Sequence, residues 1–503
     1  MSSPLQSNKG LNTGSLGLLA SVALGVSVIA PAYTLTASIA YVGQEVGTQM
    51  PAIFLVGFIP MLLVAFGYRE LNSATPDSGT SFTWATKAFG PYVGFLGGWG
   101  LIAATVIVLS NLAAIAVDFF YLAISQITGN DDIATWTNND LVNIATCTAF
   151  VILAVYVCYR GIEATRPIQY FLVTFQLAVL IIFIVVAFAK SGDAVSDLSF
   201  SLSWFNPFEI GSFGTFAAGV SLSIFVYWGW DTCLTLNEET EGAASTPGKA
   251  AVLTITVVVA LYLLIAVAVL MFAGLGDTGL GLNNEDIADN VFVALASPVL
   301  GPLAVLMSLA VLTSSAASLQ STFLSPTRTM LAMGHYKALP DRYGQVHPQH
   351  KSPVYATIVA GAVATVFYAV MRLYSESALE DTILTLGLMI CFYYGITAFS
   401  CVWYFRKSAF TSARHFFLRF FSPLVGGLAL AAVFVQTLID SADPAYGSGS
   451  EVGGLGLVFI IGVGIILLGV VVMIVMAITR PAFFRGETLD ENTEVFVDPS
   501  GLA

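Results

Sequence analysis

The sequence predicts an all-α polytopic membrane protein of 12 transmembrane helices, arranged as a five-plus-five inverted repeat with helices 1 and 6 broken. Only 10% of the 503 residues are charged while 57% are hydrophobic, and the mean hydropathy is +0.84; soluble chains carry roughly 25% charge. Apolar runs of about 20 residues, enough to cross a bilayer, recur along the whole chain. Two of these runs, five spans apart, are interrupted midway by Ala30-Pro31-Ala32 and by Trp228-Gly229-Trp230-Asp231.

The spans fall near 16–42, 50–68, 92–124, 141–160, 166–189, 212–237, 250–274, 299–332, 354–372, 382–405, 422–440 and 455–479, separated by Gly, Pro, Asn and Asp punctuation. The first apolar run is too long for a signal-peptide core and reads as an uncleaved helix. With residues 1–15 placed in the cytoplasm, all but Lys190 and Arg372 of the 18 basic residues fall on the cytoplasmic side. The positive-inside rule therefore supports the span count and cytoplasmic termini, and a plasma-membrane location is expected. Ten helices form a core over 16–405, with repeats at about 16–189 and 212–405. Helices 11 and 12 follow at 422–479, then a polar, acidic tail, 480–503, that reads as disordered. Segment 283–298 suggests a short outer helix.

Net charge −13 excludes nucleic acid as a natural partner. Lipid and a small solute are the expected partners, and the oligomeric state is open. The five cysteines lack metal-type spacing and read as packing residues. Catalysis finds no support: His-Glu-x-x-His and Gly-x-Ser-x-Gly are absent, and all four histidines lie in predicted loops. No cofactor is expected.

Function concentrates at the two interruptions. Proline within a helix removes a hydrogen bond and clashes with the turn before it, so Pro31 marks either a kink or a true break. Asp231, beside Gly229 and the aromatics Phe225, Tyr227, Trp228 and Trp230, is costly in hydrocarbon unless it faces a cavity. Paired breaks at corresponding positions of two repeats bind solute between them, where freed amides hold a carboxylate and freed carbonyls hold an ammonium or a cation.

The residues also resemble a family. Gly229-Trp230-Asp231, Glu238-Glu239 and Thr246-Pro247-Gly248-Lys249 are similar, in order, to the helix 6–7 pattern of the amino acid–polyamine–organocation permeases. Pro76-Asp77-Ser78-Gly79-Thr80, Phe89-Gly90-Pro91, Gly97-Gly98-Trp99, Arg160-Gly161-Ile162-Glu163 and the stretch from Arg328 to Pro340 extend the resemblance over about 15–480. It implies a leucine-transporter-like secondary transporter that imports an amino acid by alternating access, or else a polyamine or other organic cation. It also implies a substrate loop at Val28–Tyr33, placing Ile29, Ala30, Ala32 and Tyr33 at the solute with Tyr227 and Gly229, and Phe225 as the aromatic lid. The Gly-Ser-Gly-type loop of the family is Ala30-Pro31-Ala32 here, so Pro31 offers no amide.

A lysine midway along helix 5 of some proton-coupled relatives aligns with Gln176, which cannot exchange a proton. Asp231 is then the first coupling candidate and Asp118 the second. Sodium is the alternative, with Ser27, Ser314, Ser315 and Ser318 as oxygen ligands. Glu238 and Glu239 are expected beside Arg160, Arg166 or Lys249. A membrane sensor that binds without transporting has the same sequence signature.

Overall fold

The computed structural model describes residues 9–191, 196–374 and 378–495. Broken helix 1 comprises α1 (Leu18–Ile29) and α2 (Pro31–Thr36), followed by α3 (Ile39–Val46) and α4 (Met50–Ala74). A short α5 (Ser81–Phe89) leads into the long, deeply buried α6 (Pro91–Thr128), then α7 (Asp140–Tyr159) and α8 (Ile162–Ala189). The second half runs through α9 (Phe213–Phe225), α10 (Thr232–Thr235) and α11 (Thr246–Phe272). Next come α12 (Val291–Leu300), α13 (Val305–Thr322), α14 (Leu324–His335), α15 (Val354–Tyr374) and α16 (Ala378–Tyr404). Peripheral elements α17 (Ala413–Phe416), α18 (Ser422–Asp440), α19 (Leu457–Thr479) and α20 (Pro481–Phe484) complete the chain.

Among the described residues, 11 helices are long and apolar enough to cross a membrane. The remaining expected span, 212–237, is divided between α9 and α10 by an unwound stretch, so neither piece has the length alone. The second span runs past its expected end at 68 to Ala74, because Glu70 near its end is buried and ion-paired to Arg419 at 2.7 Å. Segment 283–298 does form a helix, α12, whose Phe292 ring meets Phe183 of α8 edge-on at 5.3 Å.

The tail departs from expectation. Residues 480–495 are packed rather than disordered: Phe483 and Phe484 bury against Phe82 and Phe95, and Lys87 Nζ donates to the Thr493 carbonyl at 2.6 Å. Two adjacent phenylalanines supply the apolar anchor that the acidic composition obscured. Residues 496–503, and the outer-loop Asp193, lie outside the described residues.

Both breaks have local causes. Ala30 closes α1 with φ 54° and ψ 66°, a left-handed conformation that costs an L-residue about 1–2 kcal/mol. Pro31 disfavours the right-handed helical region for the residue before it, and as the first residue of α2 it sacrifices no hydrogen bond. In the second break Gly229 has φ 111°, open to glycine alone at no cost. The two breaks touch: a Cβ on Gly229 would lie 2.5 Å from Val28 Cγ1.

Gly229→Ala therefore combines backbone strain with overpacking, and we expect a loss of about 2–4 kcal/mol. Gly214→Ala on α9, whose added methyl would meet only Ser212 Oγ at 3.8 Å, is expected to leave stability unchanged or slightly higher. Thermal unfolding of the two purified variants in detergent compares them directly.

Candidate functional site

Unwinding frees backbone groups that hydrocarbon cannot satisfy, and one tyrosine answers for both breaks. Tyr262 of α11 donates its hydroxyl to the Val226 carbonyl at 2.9 Å and lies 2.7 Å from Thr34 Oγ1 of α2. With the Tyr262 proton on Val226, Thr34 donates to Tyr262, and the Ala30 carbonyl accepts from the Thr34 amide at 2.9 Å. The Tyr262 hydroxyl is thus a staple across the junction, and nothing in the local sequence of α11 announced it.

Of the expected solute residues, Ile29, Ala30, Ala32, Tyr33, Phe225 and Gly229 are all buried on the two broken segments. Phe225 is the last residue of α9, directly before the unwound stretch. The Tyr33 amide already donates to Ser314 Oγ at 3.3 Å. Tyr227 turns to the scaffold instead: its hydroxyl donates to the Phe54 carbonyl at 2.9 Å and its ring packs between Phe58 and Tyr262.

Asp231 is the buried carboxylate of the site, 2% exposed. Oδ1 accepts from Tyr394 at 2.9 Å and Oδ2 from Tyr393 at 3.1 Å, both on α16. Trp228 Nε1 donates to the Tyr393 hydroxyl at 2.7 Å. Tyr68 packs edge-on against Trp230 and Tyr394, which lie tilted on each other, and no basic side chain among the described residues pairs with the carboxylate. The adjacent Tyr393-Tyr394 in a span was the available signal for this cluster.

The other coupling candidates lie elsewhere. Gln176 is buried on α8, both side-chain amide atoms without a hydrogen-bond partner; α8 packs on α1, α11 and α13, away from α16. Asp118, partly buried on α6, belongs to a separate group with Arg372 and Tyr368. Of the four serines, Ser27 Oγ bonds Gln169 and Ser321, and Ser318 Oγ donates to the Val28 carbonyl at 2.8 Å, both on the seam between helix 1 and α13. Ser315 bonds back to Val311, and Ser314 meets Tyr33.

The face that carries both described chain ends is sealed by ion pairs. Arg328, fully buried, forks onto Glu239 with contacts of 2.9 and 3.0 Å. Lys9 Nζ sits 2.7 Å from Asp77 Oδ2 and 2.5 Å from Glu238 Oε1. Burial opposes charge on Asp77, but the Lys9 ammonium and the hydrogen bonds from Lys9, Thr83 and Tyr336 outweigh it and hold this carboxyl at about 2. The glutamate pair thus meets Lys9 and Arg328, not Arg160, Arg166 or Lys249; of those, Arg166 reaches the N-terminal segment, donating to the Ser15 carbonyl at 3.0 Å. On the opposite face a cleft of about 260 Å³ opens between Tyr41, Glu45, Leu222, Ile383 and Tyr446.

A helical membrane bundle with two touching breaks, a buried carboxylate beside them and one face locked is a solute permease, not an enzyme. Residues 16–477 match the amino acid permease family model, and the chain belongs to that family. Among its relatives are the branched-chain amino acid permease BcaP of Bacillus subtilis, 23% identical over 71% of this chain and 73% of the relative. The low-affinity putrescine importer PlaP of Escherichia coli K12 is 22% identical over 84% of this chain and 88% of its own. The vacuolar cationic amino acid transporter 4 of Arabidopsis thaliana is 23% identical over 74% and 60%.

Arg328→Met leaves Glu239 buried without its partner, which is expected to cost about 3–5 kcal/mol. Arg328→Met with Glu239→Leu removes both charges and is expected to recover most of that loss. Apparent melting temperatures of the single and double variants check the pair.

Proposed function

We propose that this protein is a secondary active transporter that imports an amino acid across the plasma membrane by alternating access, coupled to protons. Both termini are cytoplasmic in this reading. Counting the divided helix gives twelve spans, with the two breaks at corresponding places of two five-helix repeats. The observation that carries the reading is Asp231, a buried carboxylate beside the second break that accepts from two phenols of α16.

Phenols suit a carboxyl that changes protonation. As an anion Asp231 accepts from both Tyr393 and Tyr394; once protonated, one of its oxygens becomes a donor and a tyrosine must turn away or reverse its bond. Protonation thereby changes the link between the α10 segment and α16, and so the geometry of the broken helix. Substrate would rest against the Val28–Tyr33 loop, with Phe225 as lid.

A second reading, a carrier of diamines or cationic amino acids, has support in what PlaP and the Arabidopsis relative are named for. Counterflow in proteoliposomes with labelled leucine, lysine and putrescine separates the two. Saturable exchange of one solute supports a carrier and names its class; binding without exchange would make the protein a sensor. Asp231→Asn is expected to retain exchange and lose pH-driven accumulation. Concentrative uptake with an unchanged pH dependence in that variant would refute Asp231 as the proton site.

A further inference from the structure

Lys9 is a lysine taken wholly out of water, its side chain 0% exposed. It reaches in from a segment that Leu11 and Leu16, both buried, and a few backbone bonds hold against the bundle. The Ser15 and Leu16 amides bond the Glu239 carbonyl at 2.9 and 3.0 Å, Glu241 N–H bonds the Leu16 carbonyl at 2.8 Å, and Asn12 makes an exposed bond to Glu163.

The receiving walls, by contrast, are held by the helical framework. Asp77 Oδ1 accepts from the Gly79 amide at 2.8 Å and Thr83 Oγ1 at 2.6 Å, and Oδ2 accepts from the Tyr336 hydroxyl at 2.7 Å. Glu238 Oε1 accepts from the Ser78 amide at 2.9 Å. The Tyr336 ring presents its face to the Lys9 ammonium at 5.4 Å. Two carboxylates and a π face therefore stand preformed around a point that one –NH₃⁺ fills.

Acceptor capacity is left over. Glu238 Oε2, Ser78 Oγ and Thr80 Oγ1 are buried without a hydrogen-bond partner. A compact ammonium with three donors suits this arrangement better than a planar guanidinium, whose fork needs a coplanar pair of acceptors.

We propose that Asp77, Glu238 and Tyr336 form a binding site for a primary alkylammonium, which Lys9 occupies as a tethered ligand and which a free amine takes over when the 9–17 strap lifts. Glu238 follows Asp231 by seven residues, about 10 Å at helical rise, so the site lies on the locked face a short way along the chain from the second break. That the free amine belongs to the transported solute rests on the transport reading; the binding does not.

Chemical rescue tests it on the full-length protein in detergent. With Lys9→Ala the site is vacated, and n-butylammonium at about 1–10 mM is expected to raise the apparent melting temperature by about 2–5 °C, saturably. Wild type should not respond in that range, nor should Lys9→Ala respond to 1-butanol or tetramethylammonium, and Lys9→Ala/Glu238→Gln should lose the response. An equal response of wild type and Lys9→Ala, or an equal effect of butanol, overturns the proposal.

If Lys9→Ala does not fold, Leu11→Cys with Lys9 intact serves instead, since Leu11 and the five native cysteines are all buried. n-Butylammonium well above that range, at about 100 mM, where it competes with the tethered Lys9, should then speed thiol labelling by about threefold or more relative to equal tetramethylammonium, and an unchanged rate overturns the proposal. Amine-specific rescue without any counterflow would sink the transport reading and leave the site standing; intact counterflow without rescue would sink the site alone.

Discussion

Unwound backbone inside an apolar bundle must find its hydrogen bonds within the protein, and the close approach of Gly229 to Val28 is what lets it do so here. Any side chain at 229 would push the two breaks apart. Held together, they fall under the reach of a single hydroxyl, that of Tyr262, which meets Val226 on one segment and Thr34 on the other. The strained left-handed turn at Ala30 persists because Pro31 and this packing leave it no alternative.

From that junction the polar groups sort by their partners. At the breaks, Asp231 is met by phenols and an indole-supported hydroxyl, all neutral. Further along the same chain, Glu238 and Glu239 are met by full cations, Lys9 and Arg328. A carboxylate held by phenols can alter its protonation by rearranging hydrogen bonds. One paired with an ammonium or guanidinium instead ties two segments together and closes the protein at that face. Eight residues thus carry the chain from a carboxylate among neutral donors to one locked to a cation.

Much of this was legible in the residues. Span edges such as 354–372 against Val354–Tyr374 follow from hydropathy, because lipid demands apolar length whatever the neighbours are. Pro31 and Gly229 declared the breaks through their own backbone chemistry. The partners of the broken segments were not legible. Tyr393 and Tyr394 are 162 and 163 residues from Asp231, Lys9 is 229 from Glu238, and Arg328 is 89 from Glu239. The tail misled for a related reason: acidic composition argued for solvation, while two phenylalanines found an apolar slot built by α5 and α6.

The sequence by itself determined that the chain lives in a membrane, where its helices run and where two of them must break, since these depend on local hydropathy and on the backbone limits of proline and glycine. Only the tertiary structure decided which groups satisfy the breaks and which cation meets which carboxylate. Those pairings are set by how helices distant in sequence pack, and a buried charge takes the partner that packing brings to it.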